Sequence, residues 1–259
     1  MKLPTLFISH GAPTFALEPG QLGAELTRLG KDLPTPQAIL VFSPHWMTSG
    51  LAVGTNPRPQ TIHDFGGFPR ALYSLQYEAP GCPEMAERAM TLLKGQGLEP
   101  KADGEMGLDH GTWVPLMHLY PQAQIPVFQV SMPSRLDQNG AWALGQALAP
   151  LRDEGVLLVG SGSLTHNLYE VRFNDEKSDV YAREFSAWVE DAVARGDGEA
   201  VRDTILKAPH ARRAHPTPEH LWPLMFAAGA AQVNGKIQGQ KIPGGILHGV
   251  LSMDSYCFN

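Results

Sequence analysis

The chain has 259 residues, 43% of them hydrophobic and 18% charged, the make-up of an ordinary globular protein with a sizeable core. Its 20 basic and 26 acidic side chains leave a formal charge of -6, which excludes the basic footprint of a nucleic-acid or anionic-membrane binder. Two cysteines, Cys82 and Cys257, lie outside any Cys-x-x-Cys pair, so neither a disulfide framework nor a thiolate metal site is on offer.

The first 17 residues contain one lysine and an early proline. Their apolar run, Leu6-Phe7-Ile8, is too short for a signal sequence and is interrupted by Ser9-His10. No stretch approaches the ~20 apolar residues that span a bilayer, so a soluble, cytoplasmic protein is expected. A strand is predicted at 3–9, a helix at 21–30 and a second strand at 38–43. The Pro/Gly-rich segment 55–69 is the longest candidate loop, and loops of that length are usually functional or disordered. Helices follow at 83–94 and 113–120, a strand at 125–131, a helix at 141–152 and a strand at 156–160. Helices at 180–195 and 218–231 precede a last strand at 246–253. Ile39-Leu40-Val41-Phe42 and Val156-Leu157-Leu158-Val159 are continuously apolar, as strands buried on both faces are. Strands alternating with helices imply an α/β sandwich with a mostly parallel or mixed central sheet. With no repeat, low-complexity tract or linker in view, 1–259 is expected to be a single catalytic domain.

Three of the ten histidines follow buried apolar runs through a small or turn residue: Ile8-Ser9-His10-Gly11, Phe42-Ser43-Pro44-His45, and Gly160-Ser161-Gly162-Ser163-Leu164-Thr165-His166. Ligands of open α/β sheets bind outside the carboxyl ends of the strands, where these three can converge. One such histidine is ordinarily a hydrogen-bonded structural residue; three in the same context favour a site. Gly11, Gly160 and Gly162 would let the backbone turn sharply and approach a ligand.

Further on, Thr217-Pro218-Glu219-His220 reads as a helix start, with Thr217 as N-cap and Pro218 in the first helical position. Glu219 and His220 would then point about 100° apart, so only one can readily face the same metal. Either is a suitable ligand for Fe(II). In Gly107-Leu108-Asp109-His110-Gly111-Thr112, His110 sits just before an apolar helix. It is a candidate for proton transfer or hydrogen bonding in the same crevice, while Asp109 or Thr112 would cap the helix. His63, in Thr61-Ile62-His63-Asp64-Phe65-Gly66-Gly67-Phe68, lies in the long loop and is a candidate substrate-binding residue if that loop covers a planar ligand. No His-Glu-x-x-His helix, phosphate-binding loop or dinucleotide turn occurs, and Val159 stands where a nucleophile elbow needs glycine.

Taken together, Ser9-His10-Gly11-Ala12-Pro13, Ser43-Pro44-His45-Trp46, the 61–69 segment, Asp109-His110-Gly111-Thr112-Trp113, His166-Asn167-Leu168 and Thr217-Pro218-Glu219-His220 resemble the DOPA 4,5-dioxygenase type of class III extradiol dioxygenases. These are relatives of the protocatechuate 4,5-dioxygenase catalytic subunit. The resemblance runs in order from residue 3 to about residue 225. It implies a three-layer α/β/α sandwich and one metal, with His10, His45 and His220 at the metal-binding positions. His166 matches a histidine that is either a further metal-site residue or the acid/base beside the metal, and His110 matches a second active-site histidine. Related enzymes complete two histidines with a glutamate, so Glu219 stays in competition with His220.

The expected cofactor is Fe(II), with zinc possible in purified or crystallised protein because three histidines also suit that ion. The expected reaction partners are a catechol-type substrate and O₂, with no nucleic acid and no membrane, and the product is a muconate-semialdehyde-type acid. The 55–69 loop and the aromatic tail residues Tyr256 and Phe258 are expected to shape the pocket. Two other functions fit the same histidines: a zinc-dependent hydrolase, and a Memo-like regulatory protein that binds metal without catalysis.

Overall fold

The computed structural model describes residues 2–173 and 177–259. Its strands, in chain order, are β1 (Thr5–Ser9), β2 (Ala38–Thr48), β3 (Ala52–Gly54), β4 (Lys101–Asp103), β5 (Val127–Pro133), β6 (Val156–Gly162), β7 (Gly239–Ile242), β8 (Ile246–Leu247), β9 (Leu251–Ser252) and β10 (Ser255–Phe258). Eight of these form one mixed sheet in the order β4-β3-β5-β2-β6-β1-β10-β7. The centre, β5-β2-β6-β1, is parallel, while β3 joins β5 and β10 joins β1 antiparallel.

The helices are α1 (Gly20–Asp32), α2 (Pro83–Gly95), α3 (His110–Leu119), α4 (Gln138–Leu148), α5 (Val180–Ala194), α6 (Gly198–Arg202), α7 (Thr204–Lys207), α8 (Ala211–Ala214) and α9 (Trp222–Ala231). Because side chains alternate across a strand, Leu40, Phe42 and Leu158 enter one core, with α2, α4, α5 and α9. Ile39, Val41, Leu157 and Val159 enter the other, with α1 and α3. The result is the expected three-layer α/β/α arrangement, and it explains why the central strands are apolar without alternation. All ten residues of α9 are buried, consistent with its being apolar on every side. Arg152, also buried, donates to Leu3 O (2.7 Å) and Ala230 O (2.9 Å), placing a cation on the last turn of α9. No helix among the described residues is long and apolar enough to cross a membrane.

Three expectations are corrected. The run 246–253 is not one strand: His248 and Gly249 take φ values of 52° and 82°, and the chain folds into the small antiparallel β8–β9 pair outside the main sheet. The tail after it is the true sheet strand β10, with Tyr256 and Phe258 both fully buried. Those two aromatics are therefore sheet core and line no part of the pocket. The helix predicted from residue 218 begins at Trp222 instead, since Thr217 donates to Glu219 Oε1 (3.0 Å) rather than capping a backbone N–H. Glu219 and His220 thus occupy the turn that leads into α9.

Candidate metal centre

A cavity of about 370 Å³ opens at the carboxyl ends of β1, β2 and β6, and His10, His45, His110, His166 and His220 all line it. His10 is the residue directly after β1. His45 lies inside β2, in an irregular stretch: Phe42 pairs with Val130 and Met47 with Met132, so the intervening residues bulge from the ladder. That bulge carries His45 to the sheet edge, where a simple end of strand had been expected. His166 follows β6, with its backbone N–H bonded to Ala214 O at 2.8 Å. His110 opens α3, which starts three residues earlier than predicted because Asp109 caps it, accepting from Thr112 N at 3.1 Å.

His220 arrives from the far end of the sequence by close packing. A Cβ on Gly160 or Gly162 would overlap the carbonyl oxygens of Pro223 and His220, respectively. Those two glycines therefore admit a protein segment, where a close approach to ligand had been expected. Gly11 does make the sharp turn expected of it, with φ +61°, and it lines the cavity.

The ring nitrogens converge in an ordered way. Nε2 of His10 and Nε2 of His45 are 3.1 Å apart. The rings of His10 and His45 lie 5.4 and 5.1 Å, respectively, from that of His220, whose Nε2 is buried with no hydrogen-bond partner among the described residues. The Nδ1 atoms point to other groups: that of His10 to Ser161 Oγ (3.0 Å), that of His220 to Glu219 Oε1 (3.0 Å), that of His45 to Asp64 Oδ2 (3.8 Å). Metal–nitrogen bonds of about 2.0–2.1 Å at tetrahedral or octahedral angles would hold two ligand nitrogens about 3 Å apart, close to the spacing seen.

Two separate ligand sets are geometrically available. His10, His45 and His110 offer atoms within 4.8 Å of one another, and so do His166, Glu219 and His220. In the first set, His110 Nδ1 is turned to Asp64 Oδ2 at 3.0 Å, although their alignment falls short of a hydrogen bond. In the second, Glu219 is engaged by the Nδ1 of His220. His166 stacks flat on His220, with ring centres 3.5 Å apart and planes 10° from parallel.

Burial, reinforced by the neighbouring imidazoles, pushes His10 and His220 well below the ordinary histidine value. Burial and the charge of His110 bring His45 down to about 3, and burial alone accounts for most of the fall of His166 to about 4. These four rings are neutral at pH 7, the state in which imidazole ligates metals. Burial pushes Asp64 up, but the His110 side chain facing it and the hydrogen bond from the His110 backbone outweigh that and hold the carboxyl below its usual value. Beneath the site Asp109 is buried among Ser43 Oγ (2.8 Å), Gln129 Nε2 (2.5 Å) and the first turn of α3. Its carboxyl is raised by burial and by Asp64, against those hydrogen bonds.

The cavity walls are mostly apolar, with Phe65 and Phe68 from the long loop facing Leu168, Phe173 and Leu251. His63 is set back from the cavity. Its Nε2 lies 3.0 Å from Leu75 O, and its ring packs edge-on to Phe65 and Trp113. Two polar residues of the site were missed from sequence. Asp64 accepts from His110 N at 2.9 Å, and Ser161 contacts His10. Asp64 was visible only as one polar residue of a long loop, and Ser161 only as one small residue after a strand.

The family model for the catalytic LigB subunit of aromatic ring-opening dioxygenase matches residues 5–246. A 4,5-DOPA dioxygenase extradiol of Beta vulgaris is 44% identical over 98% of this chain and 96% of that protein. The protein of the same description from Escherichia coli (strain K12) is 40% identical over 88% of this chain and 85% of its own, and that of Portulaca grandiflora is 38% identical over 98% and 95%. The crystal structure of an uncharacterized protein from Escherichia coli K12 superposes with a TM-score of 0.82 at 32% identity, covering 99% of both chains.

Proposed function

The chain belongs to the LigB family and is an aromatic ring-opening dioxygenase of the extradiol type, and on that footing we propose that it opens a DOPA-like catechol with Fe(II) held by His10, His45 and His220. The observation that carries the ligand set is the orientation of three imidazoles. Each turns Nδ1 toward an oxygen outside the cluster, and their Nε2 atoms are left for one shared partner. Glu219 is then the carboxylate that orients His220, the usual role of an acid behind a ligating histidine. Bound there, Fe(II) would supply open coordination positions and the one-electron chemistry that lets O₂ react with a catecholate.

The remaining side chains bind the ring and move protons. Phe65, Phe68 and Leu251 form apolar walls against which a planar ring can lie while water is excluded. His166, neutral at pH 7, takes a hydroxyl proton from the bound diol and later returns it, a role suited to an imidazole stacked in place on His220. His110 keeps Nδ1 toward Asp64 and presents Nε2 to the reacting ring as an acceptor for a hydroxyl proton. His63 acts one layer out, backing Phe65 and tying the loop to Leu75. Both oxygen atoms of O₂ enter the product, and cleavage beside the diol gives a semialdehyde of a muconate-like acid. The whole of 1–259 would act as one catalytic domain, in the cytoplasm. The test is anaerobic reconstitution with Fe(II), followed by L-DOPA and O₂. One O₂ consumed per L-DOPA with a new yellow chromophore is expected; no uptake with L-DOPA, caffeate or protocatechuate would defeat the proposal.

A further inference from the structure

Ser161 is wholly buried in β6, and its hydroxyl touches two polar groups, the carbonyl of Gly111 and Nδ1 of His10. A carbonyl oxygen can only accept, so the single hydroxyl proton goes to Gly111. The hydroxyl oxygen then has only lone pairs to offer His10, and Nδ1 must carry the imidazole proton. In a neutral ring that leaves the lone pair on Nε2, the atom facing His45.

The Gly111 carbonyl is free for this purpose because of a feature of α3. An α-helical carbonyl accepts from the N–H four residues on, and for Gly111 that residue is Pro115, which has none. The helix thus exposes one acceptor in its first turn, and Ser161 fills it. Gly111 must also lack a side chain, since a Cβ there would sit 2.5 Å from Ser43 Oγ and 2.9 Å from His45 Cδ2.

We propose that Ser161 is a positioning residue: with its proton committed to Gly111, it fixes His10 as the Nδ1–H tautomer and aims the Nε2 lone pair at the metal position. This rests on His10 being a metal ligand. A hydroxyl does here what Glu219 does for His220, without adding a charge at a fully buried point of the sheet.

The experiment uses the full chain, freed of metal and labelled with ¹⁵N-histidine. In the wild type, the NMR signals of His10, assigned by their loss in His10→Gln, should report the Nδ1–H tautomer; a proton on Nε2 would overturn the proposal whatever the variants do. Ser161→Ala should give mixed tautomers and about 10–100-fold weaker Co(II) binding, with Ser161→Thr restoring both because it keeps the hydroxyl. An unchanged His10 signal with wild-type Co(II) affinity in Ser161→Ala would overturn the proposal while sparing the ligand set. Wild-type Co(II) affinity in His10→Gln would instead overturn the ligand set itself.

Discussion

Nε2 of His10 faces Nε2 of His45 across 3.1 Å in the buried floor of the cavity, and this pairing ties the metal centre to acid sensitivity. His45 titrates at about 3, His166 at about 4 and His215, buried behind them, also at about 4, against an ordinary value of 6.5. Between those values and about 6.5 the unfolded chain binds more protons than the folded one. The stability contributed by each ring is therefore complete above about pH 6.5, drains as pH falls, and is gone below the folded value. For His215 alone the shift corresponds to roughly 3 kcal/mol. Chelator-treated protein should accordingly show a melting temperature that falls steadily from pH 7 to pH 4. A flat profile over that range would contradict burial of neutral imidazoles.

Glu219 and His220 are adjacent in sequence but have separable parts in the proposed site. If Nε2 of His220 ligates and Glu219 holds its Nδ1 at 3.0 Å, His220→Ala should lose the metal. Glu219→Gln should keep it, with affinity reduced about 10–100-fold. Equilibrium dialysis with Fe(II) under nitrogen distinguishes the two variants. Full occupancy in His220→Ala with none in Glu219→Gln would reverse the assignment.

Asp64 bonds to the backbone of His110 and faces its Nδ1, so it links the long loop to a residue proposed to touch the reacting ring. Asp64→Ala should lower kcat by about 100-fold, the lower end of the usual range for loss of oriented acid–base help, while leaving metal content near that of the wild type. The separation matters because Asp64 also lies 3.8 Å from His45 Nδ1. Loss of metal in proportion to activity would show that His45, rather than His110, is what Asp64 serves.

How much of this site can be read from sequence follows from how local each cause is. His10, His45 and His166 are legible because each trails a continuous apolar run, and parallel strands deliver their ends to one edge. The parallel core was legible for the same reason. Strands β3 and β4 are three residues each and β7 four, too short to show a period against their flanks. β10 was hidden by the longer apolar run ahead of it, which a positive φ at His248 breaks. The start of α9 was misplaced because Thr217 and Pro218 form a plausible capping signal whose partner turns out to be a side chain. Asp64 and Ser161 have partners 46 and 151 residues away, respectively, so nothing in their own surroundings marks them.

Gly162 offers the sharpest test of the proposed part of His220 in the metal site, because it supplies no ligand atom and is not among the residues lining the histidine cavity. Its missing side chain lets the carbonyl of His220 lie against β6, and an added methyl would meet that backbone atom head-on. The backbone of 220–223 must then retreat, and the imidazole goes with it. Gly162→Ala should therefore cost about 1–3 kcal/mol, as overpacking of a close contact does, and should weaken Co(II) binding as well. Gly50→Ala is the matched control: nothing lies within 4 Å of a Cβ at that position, so neither quantity should change. Calorimetric melting and Co(II) titration of the two variants read both effects. A Gly162→Ala protein that melts lower yet binds Co(II) like the wild type would mean that His220 is not among the ligands, since its backbone would have moved without consequence for the metal.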